Sequence, residues 1–274
     1  MVDDLLDNSD TAEGQTIWSA LKPIVEASGD VGRIQPYELA TQNLFLLPGD
    51  IRLSEFEVEL NSLWADCIQR KVKGFRGTSA LSVLVSQVAA EFDIDFVFFD
   101  SGPNIGALNR VVLLDCDYLI VPAACDVFSV RALKTLGNTL ATWIRDWHTI
   151  LALAPDQLYR LPGRPVLLGY VPQRFRVYRG NPASAQARYF PQIERHFKSD
   201  IVAVLRAVDP SLADASPVQL LLGVVKDFGV LASHSQEQGV PIADVDAGTP
   251  DQREEAAKAF TGLARKLIQR VDRK

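Results

Sequence analysis

Apolar residues along this chain fall into two kinds of run, short unbroken ones and longer ones spaced at helical intervals. The short runs are 43–47 (NLFLL), closed by Pro48 and Gly49, 94–99 (IDFVFF), ending in Asp100, 118–122 (YLIVP), 165–171 (PVLLGYV) and 218–225 (VQLLLGVV). Between them, helical spacing predicts a helix from Ser54 through about Val72, with Ser54 and Glu57 as a capping box. Further helices are predicted over 78–91, about 130–147, near 183–207, and about 250–272. Near-continuous apolar strands alternating with helices predict an α/β fold in three layers, a mostly parallel sheet with helices on both faces. Ligands of such sheets gather at the carboxyl ends of the strands.

With 274 residues and 47% apolar content, the chain can bury a full core, and residues 1–274 are expected to form a single α/β domain. The longest apolar stretch, 111–125, is cut by Asp115 and Asp117, so no membrane span is predicted, and no basic-then-apolar leader stands at the start. Cys67, Cys116 and Cys125 are odd in number, far apart and without nearby His, the pattern of buried thiols in a reducing cytoplasm. The formal charge of −6 hides an asymmetry: residues 1–66 hold 13 Asp/Glu against 3 Lys/Arg, while 160–206 hold 9 Lys/Arg against Glu194 and Asp200. Asp3, Asp4, Asp7 and Asp10 read as a solvated or helix-starting acidic segment. The basic stretch interleaves with Phe175, Tyr178, Tyr189 and Phe190, which fits either a phosphate-tracking surface or a solvated face.

The stretch 72–81 (VKGFRGTSAL) has the glycines of a phosphate loop. Such a loop needs a strand before it and the spacing G-x-x-x-x-G-K-[ST], so that amides wrap the phosphates and the Lys reaches them. Here the glycines are too close, no Lys stands before Thr78, and a charged helical end precedes the loop. The predicted role is structural, with Gly74 and Gly77 shaping a turn and Thr78 capping the next helix. His148, His196 and His234 stand apart at no ligand or triad spacing. Trp143 and Trp147, four apart, predict the core face of a helix.

A stronger signal is FVFFDSGPNIG (96–106), where an apolar run places Asp100 at the ligand edge of the sheet. A magnesium-nucleotide enzyme needs an acid there to hold a metal-bound water, although any buried strand can also end in a capping Asp. The order that follows, an acid-ended strand, Pro103 in a turn, Asn109 on a helix and the run from Asp117 to Pro122, resembles the ParA/MinD family of partition and positioning ATPases, which carry a deviant Walker P-loop. NLFLLPGDIRLSEFEVEL resembles the family's segment after its first switch region. LLGYVPQRF resembles the strand whose end meets the nucleobase, and SQEQGVPI (235–242) resembles its late loop, so the likeness covers about 14–270.

The resemblance implies ATP and magnesium as cofactors, with Asp100 positioning the magnesium water. It implies a nucleotide-switched sandwich homodimer that binds DNA nonspecifically, and a ParB-like partner that stimulates hydrolysis. Asp100, Pro103, Asn109, Gln173 and Arg174 are the nucleotide-side candidates it suggests. Arg174, Arg176, Arg179, Lys258, Arg265, Lys266 and Arg270 are the DNA-side candidates. Three features depart from the family pattern. Two prolines after the acid are usual, and Gly102 and Pro103 stand here, after Ser101; at the base-recognising strand end Asn is frequent, and Pro172, Gln173 and Arg174 stand here. The phosphate loop K-G-G-x-G-K-[ST] and the strand ending D-x-D-P-Q have no counterpart, a difference of roughly 50 to 60 residues. Either the chain is a truncated relative with a rearranged sheet or its natural start lies earlier. Little or no ATP hydrolysis is then expected, and a non-catalytic binding protein of the same fold is the alternative reading.

Overall fold

The computed structural model describes residues 14–39, 43–102, 104–156, 158–178, 181–182, 184–216 and 218–272. The chain divides into two compact units, Met1–Cys116 with Trp143–Arg164, and Asp117–Thr142 with Pro165–Lys274. The helix Val127–Leu151 runs through both of them.

The first unit is helical around a small antiparallel pair. Helix α1 (Ile17–Val25) opens on Thr16, whose hydroxyl accepts the Ser19 N–H, and buries Trp18 and Leu21. Strands β1 (Tyr37–Glu38) and β2 (Phe45–Leu46) form a two-residue antiparallel ladder. The run NLFLL is therefore not the buried strand its composition predicts, and Leu44 and Leu46 stand exposed. Helices α2 (Leu53–Ile68), α3 (Val72–Thr78), α4 (Ala80–Glu91) and α5 (Ala107–Asp115) carry the core, with Phe56, Leu60, Leu63, Phe75 and Leu84 buried.

Two local expectations change here. The capping box at Ser54 does not form: Arg52 holds the N-cap position with no side-chain cap hydrogen bond, its guanidinium pairing with Glu55 instead, and the Ser54 hydroxyl donates to the Ile51 carbonyl. The stretch VKGFRGT is a helix rather than a turn. Gly74 is needed because α3 crosses α2 at backbone contact, and a Cβ on it would lie 2.5 Å from the Cys67 nitrogen and 2.7 Å from the Leu63 carbonyl. Thr78 does not cap α4. It is buried inside α3 with its hydroxyl donating to the Gly74 and Phe75 carbonyls, while Ser79 holds the N-cap position.

The run 94–99 belongs to no ladder among the described residues, with a bend at Asp95, and Phe96, Val97 and Phe98 are exposed. Among the described residues no strand lies beside it, and a β-strand exists only by pairing its backbone groups with a neighbour.

The second unit holds the parallel sheet. Strand β3 (Tyr118–Ala124) leads into α6 (Val127–Leu151), and β4 (Val166–Phe175) is followed by a hairpin of β5 (Val177–Tyr178) and β6 (Asn181–Pro182). Helical segments α7 (Ser184–Ala187), α8 (Phe190–His196), a π turn (Phe197–Val202) and α9 (Ala203–Arg206) come next. Strand β7 (Val225–Lys226), α10 (Val230–Gln238) and α11 (Pro250–Val271) close the chain.

The sheet order is β3-β4-β7, both pairings parallel. β4 is central and buried from Leu167 to Pro172, as a strand covered on both faces should be. Leu168, Val171 and Leu222 form a core on which Leu263, Leu267 and Val271 of α11 pack. The run 218–225 makes only a bridge from Leu221 to Tyr170 and the short β7, not a full strand. The register shifts between Gln173 and Phe175, where Arg174 takes a left-handed φ of 59°, and that bulge breaks the ladder.

Candidate functional site

Asp100 ends the apolar run and is exposed. The turn after it is held firmly. Asn109, buried on the first turns of α5, donates through Nδ2 to the Gly102 carbonyl at 2.7 Å, the Asn104 carbonyl at 2.8 Å and Asn104 Oδ1 at 2.9 Å. Asn104 Oδ1 in turn accepts the Gly106 N–H at 3.0 Å. One amide group therefore ties two carbonyls and a side chain together just past the acid. Pro103 lies outside the described residues.

The N-terminus of α5 carries a further acid. Glu57, on α2, accepts the Leu108 N–H at 3.4 Å through Oε1, so its carboxylate meets the orphan amides and positive dipole end of α5. It passes so close over Gly106 that a Cβ there would lie 1.7 Å from Oε1. The Ser54–Glu57 spacing predicts a capping box within α2, whereas Glu57 reaches α5 instead, and Asn104 and Gly106 join it there. The local signal for those two is the Asn-x-Gly spacing, in which an Asn side chain turns its own backbone.

In the second unit, Gln173 and Arg174 stand at the carboxyl end of β4, where an open parallel sheet presents ligands. The Gln173 carbonyl accepts the Cys125 N–H at 3.0 Å, which fixes that edge to the end of β3, and the Arg174 side chain is exposed at the bulge. Arg176 is also exposed, with its N–H donating to Gln186 Oε1. Arg179 lies outside the described residues. The aromatics of this basic stretch are used in packing: Phe175 stacks edge-on against Phe190 at 5.0 Å, and Arg188 lies over Tyr189 at 4.9 Å.

α11 begins with a true capping box between Thr249 and Gln252. Lys258 is paired with Glu254 at 2.5 Å. Lys266 donates to the Leu221 carbonyl and Arg270 to the Gln219 carbonyl, both at 3.4 Å, and Arg265 is exposed. Two of the four predicted basic contacts of this helix thus bind their own fold.

Other chemistry is accounted for structurally. Burial pushes the Cys67 and Cys125 thiols up to about 11, so both are inert at neutral pH; Cys116 is half-buried. Of the two tryptophans predicted on the core face, Trp147 is fully buried, donates to the Leu161 carbonyl and packs on Trp64, while Trp143 is half-buried. His196 bonds Asp200 at 2.7 Å, and Ser199 bonds the same carboxylate at 3.0 Å, so the Ser hydroxyl faces Asp rather than imidazole and no triad forms. A cavity of about 300 Å³ beside Arg76, Ser79, Val83 and Tyr159 contains none of the predicted site residues.

Comparison with known proteins now decides the family. A family model described as an AAA domain, AAA_31, matches residues 8–153, more than half of the chain. The chain belongs to this family. It is 25% identical over 123 residues to the sporulation initiation inhibitor protein Soj of Bacillus subtilis (strain 168), a match over 45% of this chain and 44% of Soj. The matched region thus spans less than half the length of that curated relative. Among solved structures, protein DIP2308 of Corynebacterium diphtheriae aligns with a TM-score of 0.68 at 20% identity, over 94% of this chain and 75% of the other. An ATP complex of a McdA variant from Cyanothece aligns with a TM-score of 0.56 at 18% identity, over 90% and 75%, and apo McdA does so at 19% identity, over 92% and 77%.

The ParA/MinD-like resemblance and the α/β, P-loop NTPase-like fold read from the sequence are borne out. No helix among the described residues is long and apolar enough to cross a membrane.

The residues fit the two family cofactors unequally. Magnesium keeps several waters and takes one or two carboxylates, so a single exposed Asp100 suits it, and no group of three or more His, Cys, Asp or Glu among the described residues makes a dedicated metal cage. A triphosphate needs a loop whose backbone amides and Lys wrap it, and no K-G-G-x-G-K-[ST] sequence occurs in residues 1–274.

Proposed function

We propose that this chain is a cytoplasmic ParA-like ATPase module serving plasmid or chromosome partition or the positioning of another cellular complex. The observation that carries this is the Asn109 clamp, which fixes the turn directly behind Asp100 at the end of an apolar run. Family membership and the likeness to Soj and McdA support it.

In this reading Asp100 orients a metal-bound water, and Asn109 keeps its loop from relaxing. Gln173 and Arg174 at the carboxyl end of β4 meet the base, and Pro103 is the further nucleotide-side residue that the family resemblance suggests. Magnesium, when bound, offsets the charge of the phosphates. The protein works as a nucleotide-switched homodimer that binds DNA nonspecifically through Arg174, Arg176, Arg179, Lys258 and Arg265, with Lys266 and Arg270 joining once they leave their carbonyls. A ParB-like partner stimulates the switch.

Residues 1–274 by themselves turn ATP over slowly, because no K-G-G-x-G-K-[ST] sequence occurs in them. Calorimetry of the chain with ATP, with and without magnesium, tests the assignment. Weak, magnesium-dependent binding that Asp100→Ala removes is expected; binding that ignores both magnesium and the substitution overturns the role of Asp100. Turnover equal to that of McdA in a parallel assay overturns the slow rate. A second reading, a non-catalytic binding protein of the same fold, is favoured by the exposure of Asp100 on an unpaired run.

A further inference from the structure

The cavity of about 300 Å³ in the first unit is formed by α1, the segment after it, α3, α4 and Tyr159, and none of the nucleotide-side or DNA-side candidates lines it. Its size lies at the small end of ligand pockets, which suits a small metabolite. Ile24, Val31 and Val83 line it and are half-buried, so each leaves apolar surface uncovered. Tyr159 is pinned at both ends: its carbonyl accepts from Ser79 Oγ at 3.3 Å, and its hydroxyl lies 2.8 Å from Ser82 Oγ. Ser82 has one proton to give and gives it to Asp115 at 2.6 Å, so Tyr159 donates to Ser82. That wall is thus held in place before any ligand arrives. Asp30 and Arg76 bring opposite charges to the same cavity and pair with each other. Their side chains are 77% and 55% exposed, so exchanging this contact for another costs little. The guanidinium reaches Asp30 through Nη2 and keeps further N–H groups to donate.

We propose that this cavity binds a free α-amino acid with a branched apolar side chain. The paired charges select it. An anion bound by Arg76 meets Asp30 beside it, and a cation bound by Asp30 meets Arg76, so a ligand with a single charge is opposed whichever group it uses. A ligand that carries ammonium and carboxylate on one carbon matches two groups in direct contact, with its ammonium on Asp30 and its carboxylate on Arg76. A peptide holds its two end charges too far apart to do so. The side chain of the amino acid then covers Ile24, Val31 and Val83, and burial of that apolar surface favours entry. The site uses residues of the first unit alone and holds whether or not the chain binds ATP.

The test is calorimetry of the full chain with L-leucine, with isocaproate, which lacks the ammonium, and with isoamylamine, which lacks the carboxylate. L-leucine is expected to bind at least about tenfold more tightly than either, the factor set by losing one hydrogen bond to a charged group. Arg76→Gln, at an exposed site, should weaken leucine binding by at least about the same tenfold factor while thermal unfolding stays that of the wild type. Val83→Phe fills the cavity and should abolish binding of leucine. Affinity for isocaproate or isoamylamine equal to that for leucine, no saturable binding of leucine at millimolar concentration, or full leucine affinity in Arg76→Gln overturns the proposal. So does wild-type affinity in Val83→Phe, which places leucine elsewhere on the molecule.

Discussion

The runs 94–99 and 165–171 are both short and mostly apolar and end in opposite states. In IDFVFF, Phe96, Val97 and Phe98 stand exposed and pair with no strand among the described residues, whereas PVLLGYV leads into a ten-residue strand with β3 on one side and β7 on the other. Hydrophobicity does not separate them. Neighbours do: β4 has a strand on each flank and α11 over one face, and 94–99 has no strand beside it among the described residues. A β-rich run therefore records a demand for partners, and the fold is decided by whether they are supplied.

Truncation is the sharpest way to probe that contrast. Leu168→Ala, at a site 2% exposed, should destabilise the protein by about 2–5 kcal/mol, since it removes a buried side chain that its surroundings cannot refill. Phe98→Ala, at a site 75% exposed, should change stability by about 0.5 kcal/mol or less. Urea unfolding of the two variants checks both; equal costs would mean that the exposed run is buried in solution and would erase the comparison.

Asn109→Ala gives the next largest effect. It leaves the Gly102 and Asn104 carbonyls without their donor and should cost about 1–3 kcal/mol. Amide exchange at Asn104 to Gly106 should quicken while that of β4 stays slow.

The smallest effect is electrostatic and belongs to the unit of β4. Burial pushes the Asp200 carboxyl up, but hydrogen bonds from His196 and Ser199 outweigh it and hold the group below the usual carboxylate range. A depressed folded-state pKa gives stability that is present above the unfolded value and is lost as pH falls through the folded one. The loss therefore falls below about pH 4. Asp200→Asn should lower stability at neutral pH by about 0.5–1.5 kcal/mol and flatten that acid limb. A variant whose acid limb matches the wild type, followed by thermal melts across pH, would remove Asp200 from the account.

These contrasts also mark how far the sequence could be read. The α/β alternation, β3, β4, α6 and α11 were legible, because each is a long or strongly periodic run whose partners lie within the chain. The two-residue β2 and the broken 218–225 were not, since ladder length depends on a neighbour's register and on the Arg174 bulge rather than on the run's own composition. VKGFRGT misled because glycine serves both turns and close helix crossings, and only the proximity of α2 tells them apart. At the candidate site, Asp100 and Asn109 could be singled out from the order of residues that resembles the family. Glu57 could not, because it reaches Gly106 across 49 positions of sequence, the difference between the two residue numbers.

Glu57 has a consequence for any anion that approaches α5. The amino end of a helix ordinarily offers positive potential to a phosphate, but here a carboxylate already occupies it, and Asp100 adds a second negative charge a few residues upstream. This corner of the molecule repels bare phosphate and attracts cations. Under the proposed function, a nucleotide reaching it from solution must bring its countercharge along, and affinity for ATP is then expected to follow the free magnesium concentration rather than the concentration of ATP alone.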